Sequence, residues 1–158
     1  MNDDQFWTII KQAQGTDIAE NLKPILAKLP LKDIFSFGEI LDRKIADLHR
    51  WDIWGIAYIV NGGCSDDGFE YFRCWVVAQG KEFYNKLATD PDDVFTDSDV
   101  SDCECEELGY VAGKVYKQVS KQEIPQISRK YVKDPSGESW EEDDLEELFP
   151  KTFAVYNE

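Results

Sequence analysis

A chain of 158 residues with 42% apolar and 13% aromatic residues is long enough for one domain with a substantial buried core. Its formal charge of −15 repels phosphate backbones and anionic lipid head groups, which argues against nucleic acid or membrane as a partner and favours a basic or cationic one. No segment reaches the roughly 20 apolar residues of a membrane span, and the acidic start MNDDQFWTIIKQAQ does not match a secretory signal. Four cysteines (Cys64, Cys74, Cys103, Cys105) are too few and too unevenly placed for a disulfide framework, so the expected compartment is the reducing cytoplasm.

Helical periodicity runs through the first ninety residues. Phe6, Ile9, Ile10 and Ala13 recur at i, i+3, i+4 and i+7, with Asp3 or Asp4 as the expected cap. Leu22, Ile25, Leu26 and Leu29 repeat the pattern in a short second helix, with Pro24 expected near its first turn and Pro30 closing it. From Leu31 to His49 the stripe Ile34, Phe37, Leu41, Ile45 and Leu48 opposes a charged face. WDIWGIAYIV (51–60) and FEYFRCWVVAQG (69–80) are apolar on nearly every side, as suits two central helices surrounded by others. KEFYNKLATD (81–90) gives one more helix.

Composition then changes. Between Asp90 and Glu107 there are nine acids and no lysine or arginine, the pattern of a solvated acidic loop. Apolar residues resume at helical spacing from Leu108 to Val119, and six cations between Lys114 and Lys133 are expected to offset the acidic run. KDPSGESWEEDDLEELFP (133–150) reads as a turn and a short helix capped by Ser139. The predicted architecture is a mainly α, single-domain bundle with a helical core over about 3–89, an acidic loop over 90–107 and a C-terminal helical part over 108–158.

Chemistry concentrates in NGGCSDDGFEYFR (61–73). Its glycines and Ser65 suit a helix–corner–helix, but Asp66, Glu70 and Arg73 at i, i+4 and i+7 place charge on a helix otherwise built for burial. Buried charges are costly unless paired, so Arg73 is expected to pair with Glu70, Asp66 or Asp52, with Arg43 or Arg50 completing a cluster. The candidate ligand-binding or structural cluster is Trp51, Asp52, Asp66, Asp67, Glu70, Tyr71 and Arg73; no catalytic residue is assigned. Asp97, Asp99 and Asp102 are the candidate partner surface.

Other chemistries are weaker. The glycines lack nucleotide-binding spacing, and no cofactor is expected. Cys103 and Cys105 with Cys64, Cys74 and His49 make a poor zinc set, and DPDDVFTDSDVSD lacks the glycine and glutamate of a calcium loop, so no metal site is expected. A Cys64–His49 nucleophile pair has no orienting third residue.

RWDIWGIAYIVNGGCSDDGFEYFRCWVVAQG (50–80) resembles the signature of the bacterial family catalogued as domain of unknown function 4240. Weaker likenesses fall at Phe6 and Trp7, at ELGYVAGKVY (107–116) and at PSGESWEEDDLEELFP (135–150), while Cys74 stands where glycine is commoner in the family. The resemblance implies no activity, substrate or cofactor. On its residues alone the chain fits a protein-interaction module, of inhibitor or immunity type, that meets a basic protein. The alternative is a small-molecule-binding protein or enzyme using the charged cluster at 52–73.

Overall fold

The structure is a computed structural model that describes residues 1–97, 100–126 and 134–157. Its helices in chain order are α1 (Asp3–Ala13), α2 (Ile18–Ala27), α3 (Leu31–Asp47), α4 (Trp51–Val60), α5 (Asp66–Ala78), α6 (Lys81–Thr89), α7 (Val111–Ser120), α8 (Leu145–Leu148) and α9 (Pro150–Tyr156). Three 3-10 turns, Pro91–Asp93, Glu106–Tyr110 and Glu142–Asp144, sit between them. No strand forms among the described residues; Arg50 and Ser136 make one isolated parallel bridge. The mainly α expectation holds.

Local chemistry explains most helix ends, with three departures from expectation. Helix α1 is capped by Asn2, not by Asp3 or Asp4: the Asn2 side chain accepts the Gln5 N–H at 2.8 Å while Gln5 Oε1 accepts the Asn2 N–H at 2.9 Å. The two aspartates lie in the first turn, where the helix dipole favours them. Pro24 lies inside α2 rather than in its first turn. It is exposed, so its ring costs a backbone hydrogen bond without crowding the core. The turn before α8 is capped by Glu141 and Asp144 instead of Ser139.

The core is assembled from the faces the periodicity marked. Phe6, Phe37, Phe69, Phe72 and Phe95 are fully buried, each side chain stabilising the fold by about 1.5–3 kcal/mol relative to exposure. On α3 the whole stripe Ile34, Phe37, Leu41, Ile45 is buried, followed by Leu48. Helix α7 packs against both α2 and α3, α5 packs on α3 and on the 106–110 turn, and α4 meets α9. Arg43 and Lys44 of α3 reach Asp3 at 2.6 and 2.7 Å, tying α1 to α3. The Lys44 hydrogen bond above all holds the Asp3 carboxyl below its usual range.

Gly55 explains how α9 approaches α4. A Cβ at this position would lie 2.4 Å from Phe149 Cε2 and 3.2 Å from Trp140 Nε1, so only glycine admits both rings. The C-terminal part is further held by Trp140 Nε1–H donating to Trp51 O at 2.7 Å and by the Ser136 main chain bonding to His49 and Trp51. Asp92 caps α9 from a distance, accepting the Thr152 N–H at 2.9 Å and the Thr152 hydroxyl at 2.8 Å.

Candidate functional site

The corner between α4 and α5 is made by its glycines. Gly62 (φ 67°) and Gly63 (φ 116°) adopt left-handed backbone; Gly63 N–H donates to Tyr58 O at 2.7 Å and Gly62 N–H to Ile59 O at 3.3 Å. This pair of bonds satisfies the last carbonyls of α4 and needs glycine after the cap. Ser65 Oγ then accepts the Gly68 N–H at 3.1 Å, with Asp66 and Asp67 in the first turn of α5. Asn61 does more than end a helix. Its side chain accepts the Cys103 N–H at 3.0 Å and donates to Cys103 O at 3.3 Å, fastening the acidic segment to the corner.

Residues of the predicted cluster are held by separate partners. Asp52 is taken by Arg50, which reaches its two oxygens at 3.0 and 2.7 Å and also donates to Ala88 O at 2.8 Å. Arg43 is taken by Asp3. Asp66, Asp67 and Glu70 are exposed. Arg73 is buried, as expected: its guanidinium lies 4.5 Å from the Phe69 ring centroid and donates to Ile45 O at 3.0 Å and Phe69 O at 3.3 Å. Tyr71 is half-buried, its hydroxyl pushed up to about 12 by desolvation and then by its hydrogen bond to Glu106. Trp51 is half-buried and stacks on Trp54 at 5.3 Å, Trp54 stacks on Phe69 at 5.0 Å, and the Trp140 edge closes on both indoles.

The acidic run divides into two parts. Asp92 and Asp93 are consumed by the fold, the first capping α9 and the second pairing with Lys151 at 3.1 Å. Asp97, Asp102, Glu104, Glu106 and Glu107 are exposed, and among the described residues no ion pair engages them. Asp99 lies outside the described residues, as do Arg129, Lys130 and Lys133 of the basic stretch expected to offset the run. Of that stretch, Lys117 pairs with Glu123 at 2.6 Å.

The thiols are poorly suited to nucleophilic or metal chemistry. Burial first, and the Glu104 charge second, push Cys64 up to about 11. Burial likewise raises Cys74 and Cys103 to about 12, and Cys105 upward. At neutral pH such groups stay protonated, whereas the thiolate is the reactive and metal-binding form. Among the described residues no group of three or more His, Cys, Asp or Glu is placed to hold a metal ion.

A cavity of about 480 Å³ lies elsewhere, lined by residues 14–19, by the end of α5 and by Glu104, Cys105 and Glu107. Asp17, Glu104 and Glu107 are among its lining residues with Trp75, Gln14 and Gln79, and among the described residues no lysine, arginine or histidine lines it. A second cavity of about 660 Å³ lies between α3 and α7, with Asp42 and Lys114 in its wall. None of Trp51, Asp52, Asp66, Asp67, Glu70, Tyr71 and Arg73 lines either one.

The family described as "Protein of unknown function (DUF4240)" matches residues 1–118. The chain belongs to it. No curated protein and no solved structure matches. The match takes in the glycine corner, the Asn61–Cys103 clamp and the whole acidic run, and stops within α7; the weaker likeness at 135–150 lies outside it.

Chemically, the acidic cavity can receive a cation, because three carboxylates in its wall supply charge. In sequence Glu104 and Glu107 read only as part of the acidic loop, and neither Asp17 nor Trp75 stands among the candidate site residues. The four come from three separate segments, so no local spacing announces them. Asn61 was equally silent, because its partner is 42 residues away.

Proposed function

We propose that the protein is a protein-interaction module, of the inhibitor or immunity type, that captures a basic partner on the acidic face formed by Asp97, Asp102, Glu104, Glu106 and Glu107. The observation that carries this reading is that these carboxylates are exposed and, among the described residues, engaged in no ion pair, whereas Asp92 and Asp93 of the same run are spent on the fold. The adjoining cavity, with Asp17 in its wall, supports it by offering a lysine or arginine of the partner a concave seat. Clustered exposed charge accelerates encounter with an oppositely charged surface and is screened over about 8 Å at physiological salt. Asp99, of the same acidic run in sequence, lies outside the described residues. The four cysteines are all free, which suits a reducing compartment, the cytoplasm. A small-molecule or enzymatic role for the 52–73 cluster has less behind it, because Asp52 is already neutralised and Asp66, Asp67 and Glu70 face solvent.

The test compares two triple variants of equal charge on an arginine-rich peptide. Asp97→Asn, Asp102→Asn and Glu104→Gln neutralise the proposed face; Asp143→Asn, Glu146→Gln and Glu147→Gln neutralise exposed acids on the C-terminal part. The first is expected to slow association roughly tenfold at low salt, with a flatter salt dependence, and the second to change it little. Equal losses in both variants would mean net charge alone is responsible, and would overturn the proposal, as would an absence of binding by the wild type.

A further inference from the structure

Asn61 is followed by Gly62, and this dipeptide has a chemistry of its own. A glycine nitrogen is the least hindered backbone nucleophile available to a preceding asparagine side chain. Gly62 is exposed, and nothing lies within 4 Å of the place where a Cβ would stand. The Asn61 amide is nevertheless engaged: Oδ1 accepts the Cys103 N–H at 3.0 Å and Nδ2 donates to Cys103 O at 3.3 Å. Its side chain is drawn towards the acidic segment, and the Gly62 N–H is itself bonded to Ile59 O at 3.3 Å. The same segment carries strain beside the clamp, because Asp102 is a non-glycine residue at φ 55°. Its other ties include the fully buried Cys103, the Cys105 N–H bonded to Tyr71 O at 3.0 Å and the Tyr156 hydroxyl donating to Val100 O at 2.8 Å.

We infer that Asn61 is a deamidation site guarded by the acidic segment, and that its conversion releases that segment irreversibly. When the segment lifts, the Gly62 nitrogen attacks Asn61 Cγ: the N–Cγ bond forms, the Cγ–Nδ2 bond breaks, and ammonia leaves carrying the proton from Gly62. Water then adds to one carbonyl of the resulting cyclic imide, restoring the N–H and leaving aspartate or isoaspartate. No electron transfer is involved. In the aspartate product the donor to Cys103 O is gone, and a carboxylate faces that carbonyl with Asp102 and Glu104 adjoining Cys103 in the chain. A buried carbonyl left without its donor and a like-charge contact both oppose re-docking. The modification therefore acts as a one-way release of the face proposed above to bind a basic partner, and that functional consequence alone rests on the proposed function.

The experiment ages the full-length protein at neutral to mildly alkaline pH and follows the Asn61 peptide by mass spectrometry, folded and in concentrated denaturant. Conversion is expected to be slower in the folded protein by roughly tenfold or more, since it must wait for local opening. Asn61→Asp, and the converted fraction of aged wild type separated by charge, are then compared with fresh protein by amide hydrogen exchange. Faster exchange is expected at Cys103 and Cys105, with helices α1 to α3 unchanged. Equal conversion rates in the folded and unfolded chain would overturn the inference, and so would unchanged protection of Cys103 and Cys105. The aged wild type keeps the test decisive if Asn61→Asp fails to fold. None of these readouts involves a partner, so a failure here is distinct from a failure of the binding proposal.

Discussion

Arg73 is a charge placed inside an apolar helix, and its surroundings show what makes that tolerable. The guanidinium lies on the Phe69 ring at 4.5 Å and donates to the carbonyls of Ile45 and Phe69. It bridges α5 to the last turn of α3. Arg73→Met keeps a similar stem and volume but removes the donors, so hydrogen bonds from a charged group, worth about 1.5–3 kcal/mol net, are lost. The loss of stacking adds a smaller amount, and the expected destabilisation is about 2–3 kcal/mol. It is read as a lower urea midpoint at unchanged slope. A midpoint equal to that of the wild type would show that the buried guanidinium contributes nothing. Burial of Arg73 was legible in sequence from its apolar neighbours, but its hydrogen-bond acceptors were not. Main-chain carbonyls carry no sequence signature, whereas carboxylates do, which is why Asp66 and Glu70 drew the expectation.

Among the elements, the docking of the C-terminal helices on α4 rests on one position. Replacing Gly55 by alanine in a helix interior would normally stabilise by about 1 kcal/mol through helix propensity. Here the added Cβ would stand 2.4 Å from Phe149 and 3.2 Å from Trp140, and overpacking of this kind costs about 1–3 kcal/mol. Sterics should win, because Phe149 is buried and joins α8 to α9. Gly55→Ala is expected to lower stability and to strip exchange protection from α9 while leaving α1 to α3 protected. A variant more stable than wild type would show that Phe149 and Trp140 move aside freely. Helices α3, α4 and α5 were legible because their apolar patterns are continuous and their packing follows directly. Helix α9 was not, since its cap is supplied by Asp92, 60 residues earlier in the chain. The Pro150 that opens it was read only as the end of the preceding segment. Asn2 was legible in principle: asparagine three residues before glutamine is the capping-box spacing, and the neighbouring aspartates masked it.

Across the whole molecule, charge and buried thiols bear on stability at alkaline pH in the same direction, and salt separates them. Burial raises Cys64 to about 11 and Cys74 and Cys103 to about 12, from an ordinary value of 9.0. Above about 9 the unfolded chain therefore releases protons that the folded chain retains. The unfolded state then binds fewer protons than the native one, so stability falls as pH rises. The fall begins near 9 and continues until the folded thiols ionise near 11 to 12. Tyr84 adds to the upper end, since burial raises it too while its hydroxyl donates to Lys44 O at 2.6 Å. Self-repulsion from a formal charge of −15 also disfavours the compact state, and it grows as lysines lose their protons. Added sodium chloride screens repulsion between exposed charges but does not restore water to a buried thiol. Urea midpoints measured from pH 7 to 11 at low and high salt should thus show two components: a part that salt recovers, and a steeper loss above about 9 that it does not. Replacing Cys103, fully buried, with alanine should reduce only the second part, at the expense of a smaller midpoint at neutral pH from the cavity left behind. If high salt abolishes the alkaline loss entirely, the buried thiols play no part in it, and the acidic surface alone sets the limit.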